Sequence, residues 1–107
     1  MTTDTPPATN PGYLIGHITV KQPDQWVAYC AQVPDTLAPW QASIVFRGQK
    51  MAVLNGHHPQ TLTVVIRFPN AASVAGWHDS PAYQALIPLR DAAADVVLLS
   101  YESLPTA

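Results

Sequence analysis

This chain is short of charge. Only 11% of its 107 residues are Asp, Glu, Lys or Arg, against about 25% in a typical soluble domain, while 48% are hydrophobic. One small domain has too little interior to cover that much apolar surface, so a homodimer is expected. The cations are Lys21, Arg47, Lys50, Arg67 and Arg90, and the net charge is -2. They form no basic stripe for a phosphate backbone, which excludes nucleic acid as a partner. A single cysteine, Cys30, excludes an internal disulfide and an iron-sulfur cluster, and within a helical pattern it reads as a small buried thiol. No apolar stretch approaches a membrane span, and MTTDTPPATNP lacks the basic start and apolar stretch of a secretory signal. A cytoplasmic location is therefore expected. Neither a Gly-rich phosphate loop nor a nucleophile elbow is present, which removes nucleotide hydrolysis and serine-hydrolase chemistry.

What is present is a regular alternation of strand and helix signals. Residues 1–11 read as a Thr- and Pro-rich tail, 12–103 as a single domain and 104–107 as a short C-terminal tail. Tyr13 to Lys21 is a strand by its β-branched content, and Pro23-Asp24 opens an amphipathic helix carrying Trp26, Val27, Cys30 and Val33, which Pro34 kinks or ends. Ser43 to Arg47 forms a second strand, with Gly48 expected as a bulge before Met51 to Leu54 continue it. Asn55-Gly56 signals a turn, Thr61 to Phe68 is the clearest strand, and Asp95 to Tyr101 is the last. Between these two strands lies a thrice-started helix. Asn70 is an N-cap, Ser80-Pro81 a second N-cap followed by proline at the first helical position, and Pro88 forces another restart. The order β-α-β-β-α-β predicts an α+β fold of the ferredoxin-like kind, a four-stranded antiparallel sheet with helices on one face.

Strand parity sorts the side chains between the two sheet faces. Leu62, Val64, Ile66 and Phe68 form one apolar row facing the helices, with Leu14, Ile18 and Val20 beside it. Tyr13, Ile15, His17 and Thr19, together with Thr61, Thr63, Val65 and Arg67, face away, and parity adds Ser43, Val45 and Arg47 to them. A face of such mixed polarity suits a dimer seam enclosing a polar-lined pocket for a small-molecule ligand.

The segments YC…VPDTLAPW, FRG, LNG, RFP and above all WHDSPAYQALIPLR resemble the domain of unknown function 1330 family over about residues 12–102. The resemblance implies a ferredoxin-like subunit that pairs sheet to sheet into a dimeric α+β barrel. That scaffold is shared with cofactor-free monooxygenases, small isomerases and lyases, and haem-degrading proteins. The chain departs from the family pattern at Gln41-Ala42, where paired glycines are usual, at Asn55, where a glutamate is usual, and at His78, where a tyrosine is common.

The candidate site residues each have a structural alternative. His78, with Asp79 to orient it, is the best general base by its proton affinity, and equally a favourable helix C-terminal residue. His17 is a second proton carrier or a packed strand histidine, and nothing in the sequence separates either from an axial haem ligand. Arg47 is an anchor for an anionic or enolic oxygen or a structural ion-pair partner. Tyr13, Arg67, Trp77, Asp79, Ser80 and Tyr83 are the candidates for substrate binding. His57 and His58 read as a solvated loop, and no metal site is expected from their spacing. These residues favour a cofactor-independent enzyme acting on a small carbonyl or aromatic metabolite, by proton transfer of the isomerase or lyase kind or as a monooxygenase. The alternatives are a non-catalytic small-molecule-binding module and a structural dimer.

Overall fold

The computed structural model of the chain describes residues 10–105. Its elements in order are β1 (Gly12–Val20), α1 (Pro23–Leu37), a 3-10 turn (Ala38–Trp40), β2 (Ser43–Gln49), β3 (Leu62–Phe68), α2 (Ala71–Asp79), α3 (Pro81–Gln84), α4 (Ile87–Ala93) and β4 (Ala94–Glu102). The strands form one antiparallel sheet in the order β2-β3-β1-β4. This is the ferredoxin-like α+β arrangement, with all the helices on one face. Of the expected tails, residues 1–9 and 106–107 lie outside the described residues. Pro11, placed in the N-terminal tail by sequence, is tied to the domain by the Ser103 amide, which donates to its carbonyl at 3.0 Å.

The broken helix follows its punctuation. The Asn70 side chain accepts from the Ser73 amide at 2.8 Å, and the Ser80 hydroxyl accepts from the Tyr83 amide at 3.3 Å. Each cap satisfies an amide that its helix leaves without a partner. Gly76 in α2 passes so close to the Trp40 ring that a Cβ there would lie 2.6 Å from it. Only glycine permits that approach.

Several expectations are corrected. The first helix runs through Pro34 to Leu37. It forfeits one amide there, but the Ala38 amide still donates to the Pro34 carbonyl, so the final turn closes. Its buried stripe is Tyr29, Val33, Thr36 and Leu37, whereas Val27 is 68% exposed. In β2 the irregularity falls between Ile44 and Phe46 and not at Gly48. Finally, Met51 to Leu54 do not extend the strand and protrude instead, Met51 and Leu54 being almost fully exposed.

The β2 irregularity decides where Arg47 goes. Side chains alternate with a period of two, so one extra residue reverses the parity of everything after it. Ser43 lies opposite Arg67 on the uncovered face, but Phe46 pairs with Val65 and Arg47 with Val64. Phe46 thus joins the uncovered face. Arg47 sits on the helix-covered face with Val64, contrary to the parity drawn from the sequence.

The core lies between sheet and helices and is built from Leu14, Ile66 and Phe68 of the sheet and Tyr29, Val33, Leu37, Val74, Trp77, Tyr83 and Leu86 of the helices. On the other face nothing among the described residues covers Phe46, Val97, Leu99 and Tyr101, each between 38% and 54% exposed.

Candidate functional site

Helix α1 leaves a cleft between itself and the sheet, a cavity of ≈ 290 Å³. Its floor is the apolar row of the sheet, including Ile18, Val64, Ile66 and Leu98, and Trp26, Tyr29, Cys30 and Val33 of α1 close it from above. Trp77 and Tyr83 form the inner end, while Arg47 and Gln49 of β2 bring polar groups to it. Because β2 is an edge strand and Arg47 is exposed, the guanidinium stands where the cavity meets solvent. The volume is at the lower end of pockets that hold small molecules, and an apolar wall with few polar groups is their usual composition.

The aromatic end is rigid. The Trp77 indole N–H donates to the Thr36 hydroxyl at 3.0 Å, and its ring packs on Tyr83 with centroids 4.1 Å apart. With its only donor satisfied, Trp77 serves as a wall. The Tyr83 and Tyr29 hydroxyls lie 2.8 Å apart, and Arg90 Nη1 donates to the Tyr83 hydroxyl at 3.0 Å. Burial, with the neighbouring Tyr83, holds the Tyr29 phenol far above its ordinary range. Burial also disfavours the charge on Arg90, but hydrogen bonds to Tyr83 and Asp91 outweigh it and raise its proton affinity. At the other side of the cavity burial pushes the Cys30 thiol up, with Arg47 opposing. Cys30 is therefore a thiol at neutral pH and not an activated nucleophile.

Of the sequence candidates, the structure brings Arg47, Trp77 and Tyr83 together in this cavity. It does not bring the histidines there. His78 does not line the cavity, although its ring centre lies 5.6 Å from that of Tyr83; its side chain is 40% exposed and its Nδ1 is 3.5 Å from the Asp79 carboxylate. The two border a separate shallow depression with Val74 and Ser100. The Ser80 hydroxyl is used for capping and donates to the Trp77 carbonyl at 2.6 Å. Tyr13, His17 and Arg67 are on the uncovered sheet face, Tyr13 opposite Arg67 and His17 opposite Thr63. His17 Nδ1 is 3.2 Å from the Thr63 hydroxyl, and its ring meets that of His58 edge-on at 4.5 Å. Burial, and then His58, lower the proton affinity of His17. His58 is thus packed and not simply solvated as its loop position suggested. Among the described residues no three of His, Cys, Asp or Glu gather into a group that could hold a metal ion.

Sequence reasoning placed Trp26, Cys30 and Val33 on one helical stripe but named none of them for a site, and it passed over Tyr29 and Arg90 there. Tyr29 shares the stripe spacing of α1, which would have grouped it with the other three. Tyr83 and Arg90, by contrast, sit on different short helices separated by the Pro88 restart, and no periodicity links them.

The sequence profile of the domain of unknown function DUF1330 matches residues 11–103. The chain belongs to the DUF1330 family. No curated protein sequence matches it. Among solved structures, this DUF1330 chain is similar to a protein of unknown function from Rhodopseudomonas palustris, at 18% identity and a TM-score of 0.73 over 91% of this chain and 85% of that one. It is similar to SnoaB of Streptomyces nogalater, a cofactor-independent oxygenase, at 12% identity and a TM-score of 0.63 over 92% and 97% of the two chains. It is also similar to the hydroxynitrile lyase of Passiflora edulis, at 15% identity and a TM-score of 0.69 over 94% and 99%. At these identities the likeness is one of fold, the ferredoxin-like α+β arrangement.

Proposed function

We propose that this DUF1330 protein is a small homodimeric enzyme, independent of cofactors, that acts by proton transfer on a small carbonyl or aromatic metabolite held in the helix–sheet cavity. The observation that carries the reading is Arg47 at the opening of an apolar, aromatic-walled cavity. A planar apolar body fits between the sheet floor and the Trp26 and Trp77 rings. Its oxygen is then directed to the Arg47 cation, which stabilises negative charge developing there during isomerisation, addition or elimination next to a carbonyl. The fold likeness to a cofactor-independent oxygenase and to a lyase supports chemistry of this class. The homodimer is supported by the uncovered face, where Phe46, Val97, Leu99 and Tyr101 form an apolar surface that a second sheet would bury.

A non-catalytic binding module would use the same cavity, so the experiment must separate binding from turnover. Small aromatic and keto acids would be titrated against tryptophan fluorescence, and solvent deuterium incorporation into each ligand followed by NMR. Loss of a charged hydrogen bond in Arg47→Ala should weaken binding about tenfold to a hundredfold, while His78→Ala should bind normally. Deuterium exchange faster than in buffer marks an enzyme, and binding without exchange marks a carrier. If no compound of the panel binds at millimolar concentration, or if His78→Ala loses binding while Arg47→Ala keeps it, the cavity reading is overturned.

A further inference from the structure

Resting on the reading that the cavity takes a small aromatic or carbonyl compound, we propose that Arg90, Tyr83 and Tyr29 form a one-directional chain of hydrogen-bond donors. It ends in the cavity, where it binds an anionic phenolate or enolate oxygen.

The direction follows from donor chemistry. A guanidinium has no acceptor, so at 3.0 Å from Arg90 Nη1 the Tyr83 oxygen must accept. Tyr83 has no exposed surface, and its own proton left unpaired there would cost roughly 1–3 kcal/mol. The Tyr29 oxygen, 2.8 Å away, is its acceptor. That leaves the Tyr29 proton as the free end of the chain. Tyr29 is slightly exposed and lines the cavity, whose other walls around it are apolar side chains.

Arg90 itself does not line the cavity. Its side chain is 13% exposed, with Nε on the Asp91 carboxylate at 3.0 Å, and its guanidinium lies 6.0 Å from the Tyr83 ring centre. It is a positioning residue that acts through the two phenols. A cation at one end of a buried chain polarises each hydroxyl beyond it, and its charge favours an anionic acceptor at the far end over a neutral one. Held above its ordinary range by burial, Tyr29 also keeps its proton throughout the neutral and mildly alkaline range. The ligand class is a planar compound with an acidic oxygen for Tyr29 at one end and a further oxygen for Arg47 at the other, and no bond to carbon need break for it to bind.

The probes are 4-nitrophenol, whose anion absorbs in the visible, and 4-nitrotoluene, which has the same shape without the oxygen. In the wild-type protein, 4-nitrophenol should bind more tightly than 4-nitrotoluene, and its ionisation should move to lower pH on binding. Tyr29→Phe, which removes one oxygen and keeps the ring, should weaken 4-nitrophenol binding about tenfold to a hundredfold and leave 4-nitrotoluene binding unchanged. Arg90→Gln should reduce the ionisation shift of the bound probe, a signature that loosened packing alone would not produce. If both probes bind equally and Tyr29→Phe changes neither, the donor chain is overturned while the cavity reading stands. If neither binds the wild-type protein, the cavity reading falls first and the chain with it. Should Arg90→Gln fail to fold, the Tyr29→Phe comparison decides alone.

Discussion

The Trp77 indole hydrogen-bonds the Thr36 hydroxyl at 3.0 Å, joining α2 to α1 beneath the closed end of the cavity. Both residues are buried. The Thr36 hydroxyl meanwhile donates its one proton to the Val33 carbonyl at 2.7 Å, which leaves its oxygen to accept from the indole. Thr36→Val keeps the shape and strands a buried indole N–H, which should cost about 1–3 kcal/mol. In a domain of this size, Tm should fall by roughly 4–8 °C per kcal/mol. Calorimetry of the variant checks this, and an unchanged Tm would show that the indole finds another acceptor.

Gln41, which ends the 3-10 turn, has φ 54, a left-handed conformation. A side chain there costs about 1–2 kcal/mol, and glycine removes that strain at an entropic cost of roughly 0.5–1 kcal/mol. Gln41→Gly should therefore stabilise the protein by up to about 1 kcal/mol in chemical denaturation. This position is where the family resemblance led to the expectation of glycine. A lowered denaturation midpoint would count against the strain argument.

Leu99 pairs with Ile15 near the middle of the uncovered sheet face. If that face is the dimer seam, Leu99→Lys places a charge against apolar surface and should give a folded monomer. Sedimentation equilibrium at micromolar concentration reads the result, with circular dichroism confirming the fold. A wild-type monomer at that concentration would remove the dimer from the proposal.

His17 is held below its ordinary proton affinity by burial and by His58. The unfolded chain therefore binds the proton more readily than the folded one. Stability from this source is complete above the ordinary histidine value of about 6.5 and is lost as pH falls from there through the lowered folded value. Measured between pH 5 and 8, Tm should decline on the acidic side, and His17→Gln should flatten that decline. An equal slope in the variant would assign the pH dependence to other groups.

How much was legible in the sequence depends on whether the signal was local. Strand β3 announced itself by the alternation from Leu62 to Phe68, and the helix starts at Asn70 and Ser80 by their capping chemistry, because each is decided by a few neighbouring residues. The element order alone then dictated the ferredoxin-like sheet. Four strands and helices in that sequence have few ways to bury their apolar faces. The spare hydrophobic surface was equally visible in composition, although its place on the sheet needed strand parity.

The tertiary structure decided which candidate residues meet. A single irregular residue between Ile44 and Phe46 carried Arg47 from the uncovered face to the helix-covered one, and which residue of a strand bulges depends on pairing with β3, which local propensity does not register. His78, a candidate by residue type, borders a separate depression and not the cavity, with only its ring near that of Tyr83. Arg90, Tyr83 and Tyr29 come from three helices, and the contact between the two tyrosines spans 54 positions. Sequence fixes what each side chain can donate or accept. Only packing determines which donor meets which acceptor, because that follows from how separate helices settle on one sheet.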